Sequence, residues 1–107
     1  MANDLPEMND IQEEIFWGAW EESGLWEIIS SIAQIKKVDR QTAFNLLQNE
    51  IDFINSNTKI YLIYSKKLYD SKTATVLDKM ELKNLTLQDA EFHEQGPFYY
   101  LSSVPDI

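Results

Sequence analysis

Residues 51–64, Ile51-Asp52-Phe53-Ile54-Asn55-Ser56-Asn57-Thr58-Lys59-Ile60-Tyr61-Leu62-Ile63-Tyr64, contain the point at which the chain changes its hydrophobic period. Before it, Phe44, Leu47, Ile51 and Ile54 recur at three- and four-residue steps, the spacing of one buried helix stripe. After it, Lys59 to Tyr64 is a continuous β-branched and aromatic run, read as a strand buried on both faces. Asn55-Ser56-Asn57 between them stops the helix. A helical half followed by a strand-forming half defines an α+β chain.

Working back toward the N-terminus, Asp39 is placed to cap the helix that holds this stripe, with Val38 stapled onto Ala43. A second helix starts at Leu25, where Leu25, Ile28, Ile29, Ile32 and Ala33 follow the helical pattern. Ser23 is its expected cap, and Lys36 and Lys37 sit at its C-terminal end, where cations suit the helix dipole. A first helix is expected from Asp10, with Glu13 completing a capping box. Ile11, Ile15, Phe16, Ala19 and Trp20 are its predicted buried stripe, and Ser23-Gly24 ends it. Three helices thus precede the first strand.

Working forward, Lys66 to Lys72 is polar and Asp70-Ser71-Lys72 suits a turn, after which Thr73 to Leu77 returns as a second strand. Thr86 caps a short helix, with Asp89 at the third position, running to about Glu94. Gly96-Pro97 ends it and Phe98-Tyr99-Tyr100-Leu101 forms the last strand. The expected architecture is one α+β domain over residues 1–107: an N-terminal cluster of about three helices, then a small antiparallel sheet with a short helix. That outline is winged-helix-like. Residues 1–9 read as a loose arm and 103–107 as a loose tail.

At 107 residues, with 44% hydrophobic and 12% aromatic content, the chain can bury a core of its own. It contains no cysteine, which excludes a disulfide framework, thiol catalysis and thiolate metal sites. It begins with no basic and apolar leader and carries no apolar run near the roughly 20 residues of a membrane span. A soluble, cytoplasmic protein is expected.

The net charge of −9 is unevenly distributed. Residues 1–35 carry eight acids and no base, residues 36–83 nine bases and six acids, and residues 84–107 four acids and no base. Such a field repels nucleic acid and anionic membranes and steers a cationic partner inward. It also serves solubility alone, the plainer reading.

Catalytic patterns are missing. His93 is the single histidine, so a multi-histidine metal site is excluded. Beside Glu91 and Glu94 it would be half of an acid–base pair, and a lone histidine on a short acidic helix is more often a surface residue. Glu13-Glu14 and Glu21-Glu22 have no Glu-x-x-His partners for a di-iron centre, no calcium-loop spacing occurs, and three glycines build no phosphate-binding loop. No catalytic residue, cofactor or metal is therefore assigned.

All three tryptophans, Trp17, Trp20 and Trp26, lie among the N-terminal acids. At helical spacing such rings are more often core than interface. Trp17 is offset from the Ile11–Ile15–Ala19 stripe, however, and Trp26 from Ile28–Ile29–Ile32. Aromatic rings rimmed by carboxylates suit a cationic protein partner. Glu13, Glu14, Trp17, Glu21, Glu22, Trp26 and Glu27 are the expected partner-binding residues.

In length, acidity, absence of cysteine, α+β plan and the start Glu13-Glu14-Ile15-Phe16-Trp17 to Trp26-Glu27, the chain resembles the small acidic immunity proteins of bacterial contact-dependent and polymorphic toxin–immunity systems. The resemblance implies a non-catalytic inhibitor. Its partner would be a cationic toxin domain, often a nuclease, whose active site is covered by acidic groups standing in for phosphates. Two alternatives stay open. One is a winged-helix-type regulatory or nucleic-acid-binding adaptor, reading with helix 39–55 and a wing bearing Lys66, Lys67, Lys72, Lys79 and Lys83. The other is a structural dimerisation module joined through the tryptophans.

Overall fold

The computed structural model describes residues 7–67 and 72–103. Within them the chain forms helices α1 (Asp10–Trp20), α2 (Leu25–Lys36), α3 (Arg40–Asn49) and α4 (Ile51–Ser56), then strands β1 (Tyr61–Ser65) and β2 (Ala74–Leu77). A 3-10 helix (Lys79–Asn84), the short helix α5 (Leu87–Ala90) and strand β3 (Phe98–Ser102) follow. The three strands form one antiparallel sheet in the order β2-β1-β3. The α+β architecture is as expected.

Helix α1 starts one residue earlier than the Asp10 cap predicted. Asn9 is the cap: its side chain accepts the Gln12 N–H at 2.8 Å while the Gln12 side chain accepts the Asn9 N–H at 3.1 Å. Asn and Asp cap equally well. Asp10 is drawn elsewhere, into a 2.8 Å ion pair with Lys36 on α2, and this pairing holds its carboxyl below the ordinary carboxylate range. The buried face is Ile11, Ile15, Gly18 and Ala19.

Trp20, placed in that stripe by sequence, is 61% exposed. Gly18 explains the rotation, because α2 packs closely against it. A Cβ at residue 18 would lie 2.7 Å from Cγ1 of Ile28, so only glycine permits this approach. With Gly18 turned inward, Trp20 is carried outward on the next part of the helical wheel.

The α1–α2 turn is also rearranged. Glu22 takes the left-handed conformation, φ 57°, that the neighbouring glycine could have adopted. Gly24 instead is extended and caps α2 in place of Ser23, with its N–H held by the Glu27 carboxylate at 3.0 Å. Leu25, Ile28, Ile29 and Ile32 form the predicted buried face, with Ala33 partly buried beside it.

Asp39 caps α3 as expected, accepting the Thr42 N–H at 2.7 Å. The predicted single helix through Ile54 is broken at Glu50, so four helices, not three, precede β1. Phe44, Leu47, Ile51 and Ile54 follow a seven-residue repeat that drifts only about 20° per heptad, so they share one face with or without the break. The break at Glu50 leaves all four buried. It also brings the Glu50 carboxylate within 2.8 Å of the Gln12 amide on α1.

In the sheet, Leu62 of β1 stands opposite Leu77 of β2 and Leu101 of β3, on the face that joins the helical core. Ile63 stands opposite Tyr100 on the other face, and both are buried. The doubly buried central strand is thus as read from sequence.

The 3-10 helix was not anticipated. Asp78 caps it, Leu82 is buried from it, and the Lys79 ammonium donates to the Asn57 carbonyl at 2.6 Å, closing the C-terminal end of α4. Thr86 and Asp89 make the predicted capping box, but α5 ends at Ala90 rather than near Glu94. Glu91 leaves the helix there to meet Arg40. The predicted turn at 70–72 falls largely outside the described residues, as do 1–6 of the arm and 104–107 of the tail.

Candidate interaction face

The close approach of α1 and α2 at Gly18 and Ile28 leaves a shallow cleft of about 210 Å³ above that contact. Glu14, Trp17 and Glu21 line it from α1, and Ser23, Glu27 and Ser31 from the turn and α2. Glu14, Trp17, Gly18 and Glu21 lie at i, i+3, i+4 and i+7, so one face of a single helix supplies two carboxylates, an indole and the floor.

Trp17 is 46% exposed, and the edge of Phe16 packs at right angles to it with centroids 5.3 Å apart. Glu27 lies in the first turn of α2, where the helix dipole favours an anionic side chain. Among the described residues the ion pairs are Asp10–Lys36 and Arg40–Glu91, neither of which engages an acid of the cleft. The cleft is thus acidic, aromatic and without an internal cation.

Four of the seven residues singled out from the sequence therefore converge: Glu14, Trp17, Glu21 and Glu27. Glu13 lies outside the cleft, on the stripe Glu13–Trp17–Trp20 that runs beside it. Glu22 is half-buried in its left-handed turn and does not line the cleft.

Trp26 is separated from the others. One position before Glu27, it points about 100° around α2 and packs with Phe92 and Phe98, centroids at 5.4 and 6.0 Å. Its ring covers the backbone of Gly24, where a Cβ would stand 2.3 Å from the indole. Its carbonyl accepts from Arg40 at 3.1 Å and from Ser30 at 2.9 Å. This tryptophan is a structural ring. Trp20, assigned to the core by sequence, is instead exposed beside Trp17.

His93 uses Nε2 on the Gln88 carbonyl at 2.5 Å, near Asp89 and Tyr99. Burial, reinforced by Asp89, pushes the Tyr99 hydroxyl above its ordinary range. Among the described residues no group of three or more histidines and carboxylates is arranged to hold a metal ion, and no helix is long and apolar enough to cross a membrane.

The chain matches no protein-family model, no curated protein and no solved structure. The winged-helix likeness of its outline accordingly has no solved counterpart to rest on.

Proposed function

We propose that this chain is a non-catalytic binding protein of the immunity type, which neutralises a cationic, nuclease-type toxin domain by covering its active site with an acidic surface. The observation that carries the reading is the convergence of Glu14, Glu21 and Glu27 around an exposed Trp17 with no internal cation. A guanidinium or ammonium group of the partner would lie between the carboxylates and against the indole, where ion pairing and cation–π attraction act together. Long-range attraction from the charge of −9 would raise the encounter rate, and Trp17 would supply short-range energy after desolvation.

The nucleic-acid alternative is weakened by Arg40, the only arginine of the chain. Its guanidinium is occupied by Glu91, Ser30 and the Trp26 carbonyl, and is not free for phosphate.

The test is capture from lysate of the source cells at low salt, comparing wild type with Glu14→Lys/Glu21→Lys. The expected result is a basic protein retained in stoichiometric amount by wild type, eluted by salt, silenced in its activity while bound, and lost from the variant. Equal retention by both proteins, or nucleic acid alone on the column, would overturn the proposal.

A further inference from the structure

The acids of the α1–α2 cleft gather around a ring, not around a point. On α1, Glu14 precedes Trp17 by three residues and Glu21 follows it by four. At a rise of 1.5 Å per residue the Cα atoms of the two glutamates lie roughly 10 Å apart along the helix axis, with the indole between them. Glu27 lines the cleft from α2, its carboxylate steadied by the Gly24 N–H at 3.0 Å. Among the described residues no three carboxylates or histidines are grouped to hold a metal ion, so these acids do not close around a compact cation.

That spacing selects the shape of the cation. An ammonium is a compact point charge with no flat face to lay on an indole. A guanidinium is planar. Its faces stack on an aromatic ring while its five N–H donors point outward in the plane, toward carboxylates on different sides. Trp17, exposed and packed edge-on by Phe16, offers such a ring between Glu14 and Glu21.

A second copy of this chain does not supply the group. Its single arginine, Arg40, is already held by Glu91, Ser30 and the Trp26 carbonyl. The occupant belongs to a different protein.

We infer that the cleft reads arginine: it takes one arginine side chain of the partner, the guanidinium flat on Trp17 and donating to the carboxylates around it, and it discriminates against lysine. The inference rests on the interaction face proposed above and names the residue that the partner must present there.

The isotope-labelled full chain is titrated at constant ionic strength with N-acetyl-argininamide and, separately, with N-acetyl-lysinamide. Heteronuclear NMR follows the indole N–H signals, those of Trp17 and Trp20 being assigned from Trp17→Phe and Trp20→Phe. Argininamide is expected to move the Trp17 signal with a Kd on the order of 10 mM. It should leave the signal of Trp26 in place and bind at least about threefold tighter than lysinamide. Glu14→Gln/Glu21→Gln, shown to be folded by its dispersed amide spectrum, should weaken argininamide at least about fivefold. If the double variant does not fold, Glu14→Gln alone carries the comparison. Equal affinity for the two amides overturns the inference and leaves the acidic face standing as a general cation site. A Trp17 signal unmoved by argininamide, or a folded variant that binds it like wild type, overturns it as well. Argininamide bound selectively while no basic protein is retained from lysate upholds the arginine site and sinks the immunity reading instead.

Discussion

The Arg40 guanidinium grips the Glu91 carboxylate with two nitrogens, Nε at 2.8 Å and Nη2 beside it, and so ties the start of α3 to the end of α5 across fifty-one residues of sequence. The same guanidinium donates to Ser30 Oγ and the Trp26 carbonyl on α2. Burial favours losing the proton, but the Glu91 hydrogen bond outweighs it and holds the guanidinium above its ordinary range. One planar side chain thereby joins three elements.

Arg40→Ala is expected to lower unfolding stability by about 1–2 kcal/mol, a charged hydrogen bond discounted because both side chains are about one-third exposed. Arg40→Lys should recover little of it, since an ammonium cannot reproduce the fork. Urea denaturation of the three proteins decides this, and a lysine variant as stable as wild type would refute the clamp.

Glu22 occupies φ 57°, a region costing a non-glycine residue roughly 1–2 kcal/mol. Glu22→Gly relieves that strain and loses some of the gain to unfolded-chain entropy, so a net stabilisation of about 0.5–1 kcal/mol is expected. Thermal unfolding should show a higher midpoint. A lower one would mean that the Glu22 side chain has a contact worth more than the strain.

Trp17 and Trp26 are expected to behave as opposites. Trp17→Ala is expected to leave the fold stable and to accelerate dissociation of the proposed cationic partner, whereas Trp26→Ala strips a ring from Gly24, Phe92 and Phe98 and destabilises the fold by about 2–4 kcal/mol. Charge reversal at Glu14 and Glu21 slows association and flattens its salt dependence. Surface-binding kinetics beside denaturation curves separate these effects. Loss of binding through Trp26 without loss of stability would move the interface to the other side of α2.

The carboxyls of Asp10 and Asp39 are held below their ordinary value, Asp10 chiefly by Lys36 and Asp39 by Thr42. Because the folded form binds the proton less readily, their contribution is present above the usual carboxylate range near pH 4. It is lost as pH falls through the lower folded values. Between pH 5 and pH 2 (approximate limits), wild type should lose more stability than Asp10→Asn or Lys36→Met. Parallel curves for all three would show that the pair carries no linkage.

Local periodicity was legible along most of the chain. Asp39, Thr86, the Leu25–Ile32 stripe, the doubly buried β1 and the acid-and-aromatic start follow from short-range spacing, because helix caps, strand alternation and charge depend on neighbours a few residues away. The spacing of Glu14, Trp17 and Glu21 already placed them on one helical face. The rotation of that face depended on a distant contact, Gly18 against Ile28, which turned Trp20 out and left the cleft open above the contact. Trp26 went to the fold because β3 and the segment after α5 bring Phe98 and Phe92 to it from more than sixty positions away. Helix α3 broke at Glu50, where the Glu50 carboxylate meets the Gln12 amide of α1, thirty-eight positions away in the chain. Sequence by itself determined the first two helices, the start of the third, the strands and where the charge lies, since those rest on local backbone and side-chain chemistry. Which tryptophan meets solvent was decided by tertiary packing, because burial depends on surfaces that the chain brings together only on folding.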